Sequence, residues 1–348
     1  MISTLAPVEP DWEGMLRNLR REGTPERVYY FEHGIADNVL EALDARLDIC
    51  RGLDRGDPHY DHLRRLAVHR FLGHELFRVF PERARITFPI NQAGWIDESL
   101  GLITSWEDFE SYDWLRPEDA DLSVLEYYEK NLPEDMRVFH VLDVWEVVRS
   151  LFGFETFCYK LYEDPALVEA VVEKAGSFAE KMADALCDFE CFGVLNLSDD
   201  LGYKTSLMIS PEDVRRLFIP WHKRIADLAH RHGKLFFFHC CGNMYELIDD
   251  YIDYVRIDAK HSFEENVLPV TEVKRRYGDR LTLLGGMDVD LLARGNEQAI
   301  RARTREVLET CVPGGGYFLG SGNWVTEYIP VDSYLVMLDE ARRLSADR

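Results

Sequence analysis

A (β/α)8 TIM barrel with an N-terminal helical extension is the α/β fold this sequence predicts, and three observations lead to it. In the second half, short apolar runs alternate with segments of helical periodicity, the pattern of a parallel sheet with crossover helices. No Gly-x-Gly-x-x-Gly follows the first strand and no Walker loop is present, which disfavours a nucleotide-binding doubly wound sheet. Five successive apolar runs end in polar residues, as barrel strands do at the face that carries the active site.

The elements follow in order. Residues 1–80 are charged and helical in pattern, and AVHRFLGHELFRVF (67–80) spaces its apolar residues as a helix does. They form the extension, packed on a barrel that spans 81–348, with one structural domain overall. ARITFP (84–89) is the first candidate strand. RVFHVLDV (137–144) is the second and runs into a helical stretch. GVLNLSDD (193–200) is the third. After it, Ser210 is placed as an N-cap, with Pro211 at the first helical position and acids in the first turn. That helix should run to about Arg231, where His232-Gly233 stops it. LFFFHCC (235–241), YVRIDAK (254–260), LTLLGGMD (281–288) and GYFLGSGN (316–323) are the later strands. Helices over 244–252, 269–277, 296–311 and 331–345 separate or follow them. No low-complexity segment or composition break marks a second domain.

Bulk properties bound the function. Hydrophobic content of 46% and aromatic content of 12% fit a globular chain with a sizeable core. The formal charge of −23 excludes nucleic acid and anionic membranes as expected partners, because both need clustered Lys and Arg. An anionic substrate held by a local Arg cluster stays open. Seven scattered cysteines make no disulfide framework, and a reducing cytoplasm is the expected setting. No signal peptide is read at the N-terminus, and no apolar run approaches the ~20 residues of a membrane span.

FFFHCCGN (236–243) carries the sharpest chemistry. Residues two apart on a strand share a face, so His239 and Cys241 converge while Cys240 turns away. An imidazole and a thiolate meeting at a strand end can begin a zinc site. A packed core with a buried His and two inert thiols is the other reading. The neighbouring strand ends carry Asp199-Asp200, Asp258 with Lys260 and His261, Asp288, and Ser321 with Asn323. Trp324 and Tyr328 would wall such a pocket.

At this point the chain resembles the uroporphyrinogen decarboxylase superfamily. The resemblance rests on LSDDLGYKTSLMISPEDVRRLFIPWHKRI (197–225), HCCGN (239–243), YVRIDAKHSFEEN (254–266), YGDRLTLLGGMDVDLL (277–292), and GGGYFLGSGN (314–323) with Tyr328-Ile329-Pro330-Val331. GFETFCYKLYEDPALVEAVVEK (153–174) and REGTPERV (21–28) extend it from about residue 14 to 345. It implies a (β/α)8 barrel. It also implies one of two activities. True uroporphyrinogen decarboxylases carry an Arg-rich signature containing RQAGRY. Here NQAGW lies at 91–95 without flanking arginines, and VYYFEHGIAD (28–37) lacks them too. Corrinoid-dependent methyltransferases bind zinc through a His-x-Cys and a late Cys. His239 and Cys241 match the first, whereas Ser321 stands at the late position.

The chain is therefore expected to lie closer to the methyltransferase-like members. The reaction implied moves a methyl group between a small methylated substrate, or a thiol, and a corrinoid protein, with zinc at His239 and Cys241. Asp258, His261, Asp288 or Glu327 would supply a third ligand. Asp199, Asp200, Asp258, Asp288 and Asn323 take catalytic roles, and His261, Ser321, Trp324 and Tyr328 bind substrate. The corrinoid would come on a partner protein, and a homodimer is a further expectation. The alternatives are a uroporphyrinogen decarboxylase or another metal-free decarboxylase, and a non-catalytic tetrapyrrole-binding protein.

Overall fold

The computed structural model describes residues 4–86 and 101–346. Among them lie seven strands: β1 (Leu76–Arg78), β2 (Arg137–Leu142), β3 (Phe192–Ser198), β4 (Leu235–His239), β5 (Ala259–His261), β6 (Thr282–Leu284) and β7 (Tyr317–Phe318). Their order in the sheet is their order in the chain. β3 pairs with β4, β5 with β6, and β6 with β7, all parallel. The α/β class is as expected, with seven strands among the described residues where a (β/α)8 barrel has eight.

The chain divides into two compact units. One comprises Met1–Arg78, Asn131–Val138 and Asp258–Arg348; the other comprises Val79–Lys130 and Phe139–Ile257. In the second unit, β3 and β4 are buried along almost their whole length, so both read as continuous apolar runs. Their register places Ser198 beside His239. The helices Pro165–Cys187 and Ile219–Arg231 belong to the same unit. Gly176 on the first leaves no room for a side chain, since a Cβ there would lie 2.1 Å from the Trp221 ring.

Three local readings are corrected. The apolar stretch 67–80 is not one helix: the helix Tyr60–Leu72 ends at Gly73 and the chain then enters β1. Gly73 takes φ 78°, the left-handed cap that glycine adopts without a Cβ penalty. In 254–260, a π-helical turn, Asp250–Val255, occupies the start, Arg256 reverses the chain at φ 67°, and only Ala259–His261 is strand. The helix expected over 211–231 is two helices, Pro211–Leu217 and Ile219–Arg231. Pro220 lacks the N–H that would continue the ladder across the joint. The Ser210 cap is as read, its side chain accepting from Asp213 N at 3.1 Å.

The candidate strand 84–89 shows no strand at 84–86, and its remainder lies outside the described residues, as does NQAGW. Strand-like pairing appears instead within the N-terminal segment. Tyr30 forms a parallel bridge with Leu319, and Ile35 with Val325. Residues 28–36 are thus extended beside the chain that follows β7, in a region the pattern assigned to helix.

Candidate active site

The second unit gathers four of the sequence-predicted residues. His239 ends β4, and Cys241 follows two residues on. Cys241 Sγ lies 3.4 Å from His239 Nε2. The same nitrogen lies 3.6 Å from Asp200 Oδ1, just past the end of β3. Asp200 is tied to this place because its Oδ1 accepts the Cys241 N–H at 2.7 Å. The ligand-type atoms of Asp200, His239 and Cys241 all lie within 4.8 Å of one another. Cys240 is buried, with Leu201 N 3.4 Å from its sulfur, as alternation along an extended chain requires.

Two glycines bring the loops after β3 and β4 together. A Cβ on Gly242 would lie 2.2 Å from Gly202 O, and one on Gly202 would lie 2.6 Å from the Gly242 carbonyl carbon. Gly242 also has φ 72°. Asn243 closes the contact by donating its N–H to Tyr203 O at 2.7 Å. The His-Cys-Cys-Gly-Asn run thus combines ligand-type side chains with the backbone shape that presents them.

Asp199 occupies a different place from Asp200. It is wholly buried and accepts from Val144 N at 3.0 Å and Glu146 N at 3.1 Å. Those amides open the helix Trp145–Phe152, so a carboxylate from β3 satisfies donors the helix cannot satisfy itself. Its other oxygen lies 2.8 Å from His222 Nε2, whose Nδ1 is 2.9 Å from the Tyr251 hydroxyl. Asp199 is fully engaged in holding this frame. Trp145, also buried, donates its indole N–H to Asp200 O at 3.0 Å.

Glu146, which the sequence reading passed over, is the other buried acid here. Arg149 donates to its Oε2 at 2.7 Å, while Oε1 is buried with no hydrogen-bond partner among the described residues. Burial pushes its carboxyl up to about 8, against the pull of Arg149, with the charges of Asp200 and Asp199 adding to the rise. The carboxyl of Asp200 is likewise raised by desolvation, against the hydrogen bond from Cys241. Arg85 and the fully buried Asp143 form a two-point ion pair in the same unit. Glu146 lies four residues beyond the end of β2, where barrel logic would have found it.

The first unit holds the remaining predicted residues. Ser321 is buried and saturated: its N–H and its Oγ–H both donate to Glu32, the hydroxyl at 2.6 Å. Burial raises the Glu32 carboxyl to about 8, and the Ser321 donors oppose that rise. His261, wholly buried, stacks on His33 with ring centroids 5.4 Å apart, and its Nε2 lies 3.4 Å from Ser321 O. Trp324 meets the His33 ring edge-on at 6.0 Å and lies under the Arg78 guanidinium. Asp288 caps the helix Val289–Arg294 by accepting from Leu291 N at 2.8 Å. Asp258 and Asn323 are half-buried, and Tyr328 is exposed. Glu32 and His33 were missed although VYYF-Glu-His repeats the signal of LFFF-His, an apolar run ending in chemistry.

Among the described residues, all seven cysteines are free and no helix is long and apolar enough to cross a membrane.

Comparison with known proteins matches a family model, uroporphyrinogen decarboxylase (URO-D), over residues 144–344, more than half of the chain. A search of curated proteins gives no match. Among solved structures, a methyltransferase from Methanosarcina mazei superposes with a TM-score of 0.68 at 16% identity, covering 97% of this chain and 99% of its own. A protein assigned as a vitamin-B12-independent methionine synthase from Listeria monocytogenes gives 0.44 at 11% identity, over 92% of this chain and 96% of its own. A sugar phosphate isomerase/epimerase from Parabacteroides distasonis gives 0.39 at 12%, over 91% and 96%. The fold is shared with the first of these, and by the family match the chain belongs to the uroporphyrinogen decarboxylase family.

Proposed function

We propose that this chain is a methyltransferase of the URO-D-like kind, a (β/α)8-type enzyme that moves a methyl group between a small methylated substrate or thiol and a corrinoid carried by a separate protein. One observation carries the reading: the spacing of Asp200, His239 and Cys241. Ligand atoms around a tetrahedral zinc sit roughly 3.3–3.6 Å apart, given bonds of about 2.3 Å to sulfur and 2.0–2.1 Å to nitrogen or oxygen. The separations of 3.4 Å from Cys241 to His239 and 3.6 Å from His239 to Asp200 match that spacing, and all three atoms lie within 4.8 Å of one another. An imidazole, a thiol and a carboxylate are also a donor set zinc accepts. A zinc ion held there would supply Lewis acidity, favouring the thiolate form of a thiol or polarising a methyl donor.

The residues of the chain have separate tasks in this reading. His239 and Cys241 hold the metal, and Asp200 is the third protein ligand. It takes precedence over Asp258, His261, Asp288 and Glu327 because its oxygen lies within 4.8 Å of both His239 and Cys241. Asp199 is a positioning residue, fixing the start of the helix that bears Glu146. Glu146, buried and held by Arg149 at 2.7 Å, is placed to hold or move a proton beside Asp200. Asp258 and Asn323, both half-buried, are proposed to act on the substrate and Trp324 and Tyr328 to wall its seat, while Asp288, as a helix cap, and Ser321 and His261, both wholly buried, support that wall from behind. The neighbour from Methanosarcina mazei is a methyltransferase, which supports the same class. A homodimer and a cytoplasmic setting complete the proposal.

Metal-free decarboxylation is the second reading, and Ser321 favours it. Its hydroxyl donates to Glu32, so the late position offers no thiolate. Weighing against it, Arg85 and Arg149 are already paired with Asp143 and Glu146. A substrate rich in carboxylates would need such cations for itself.

Metal analysis of protein purified without chelator tests the assignment. The wild type should carry about one zinc per chain, and Cys241→Ala and Asp200→Ala should lose it. A wild type free of metal, or a Cys241→Ala protein that retains its zinc, would reject the metal role.

A further inference from the structure

The first unit carries a basic crevice that the proposed reaction does not use. Its volume is about 520 Å³, and Arg21, Lys274, Arg275 and Arg276 line it, with Asp279 the one acid in the lining. In a chain with 63 acidic and 40 basic residues, cations ordinarily find carboxylates. Here two of the four, Arg21 and Lys274, find none among the described residues.

Lys274 Nζ donates to Gly315 O at 2.5 Å. The Arg21 guanidinium donates to Thr282 Oγ1 at 2.9 Å and reaches Leu19 O at 3.4 Å. These acceptors are neutral. They fix where the two cations stand without cancelling their charge, and neither cation forms an ion pair among the described residues. Arg275 and Arg276 pair with the same carboxylate, Glu272, at 3.4 Å and 2.7 Å. Burial lowers the Lys274 ammonium below its ordinary value, and the charge of Arg21 lowers it further.

The backbone is built around this arrangement. Arg21 stands at φ 59°, unusual for a residue with a Cβ. Gly315 and Gly316, at φ 77° and 70°, leave it room, since a Cβ on Gly316 would lie 2.6 Å from Arg21 Cγ. Pro313 and Gly314 complete the rim.

We propose that this crevice binds a phosphate group. Two cations held by neutral acceptors match the double charge of a phosphate. A guanidinium can take two of its oxygens in the plane of its fork, with the lysine as a point charge. The crevice is larger than a phosphate alone needs, so either free phosphate or a small phosphorylated molecule fits its chemistry. The site is independent of the proposed methyl transfer.

Calorimetric titration of the whole chain with sodium phosphate, against sodium chloride at equal ionic strength, tests the proposal. Wild type should show saturable phosphate binding that chloride does not reproduce. Lys274→Gln should weaken it at least about tenfold, the loss of one charge-assisted hydrogen bond, and Arg275→Glu, which sets a carboxylate in the lining against the anion, should weaken it by a similar factor through repulsion. Arg275 is 59% exposed, so its substitution leaves the fold intact even where Lys274→Gln does not. Adenosine monophosphate separates the two sources. Tighter binding than phosphate points to a phosphorylated molecule, and equal or weaker binding points to the free anion. Phosphate indistinguishable from chloride, or undiminished binding in Arg275→Glu, overturns the assignment.

Discussion

Replacing Glu32 with Gln should remove a large part of the pH dependence of stability between about pH 5 and 8. Glu32 is 3% exposed and its carboxyl is raised by burial from 4.5 to about 8. Below the lower value the group is protonated in both folded and unfolded chains, and burial of the neutral acid carries no ionisation penalty. As pH rises, the unfolded chain ionises first while the folded chain holds its proton. Stability is therefore lost by about 1.4 kcal/mol per pH unit until the folded carboxyl also ionises near pH 8. Over the whole window the loss is on the order of 5 kcal/mol. Glutamine is neutral at every pH and keeps a carbonyl to accept from Ser321 N and Oγ. Urea unfolding of both proteins at half-unit steps from pH 5.5 to 8.5 isolates the effect, because every other titrating group is shared. The stability of the Gln variant relative to wild type should climb steadily with pH and level off above pH 8. A difference that stays constant across the series would refute the reasoning and show that Glu32 ionises normally in the folded protein.

Other outcomes follow from the same geometry. Asp199→Ala strands two buried helix-opening amides, and should lower stability by roughly 2–4 kcal/mol in urea unfolding. Gly242→Ala forces a Cβ against Gly202 O at a φ of 72°. It should cost more than about 1 kcal/mol in thermal unfolding and, on the proposed metal reading, lower the zinc content by moving Cys241. Trp145→Phe removes one buried hydrogen bond to Asp200 O, and a loss of about 1 kcal/mol is expected by the same unfolding assay.

Much of the second unit was legible because its signals are local. β3 and β4 are apolar runs flanked by turn residues, Ser210-Pro211 announces a helix start, and the His239-x-Cys241 spacing needs only strand alternation to converge. The ends of elements were harder to read. Apolar spacing continues smoothly across Gly73, yet the backbone turns there, and the run through 254–260 conceals a π-helical turn before β5. Periodicity reports which side chains are apolar; it does not report where the ladder of hydrogen bonds stops.

The amino-acid sequence by itself determined the α/β class, the chain-ordered strands and the pairing of His239 with Cys241, which follow from patterns only a few residues long, and the family, which follows from motifs spread along most of the chain. The tertiary structure decided the rest. It separated Asp199 from Asp200, burying the first at a helix start and leaving the second beside the imidazole. It tied Ser321 to Glu32 across 289 residues of chain and gathered Arg21 with Lys274 into one crevice. These choices depend on desolvation and on contacts between distant segments, and neither is encoded in the spacing of neighbouring residues.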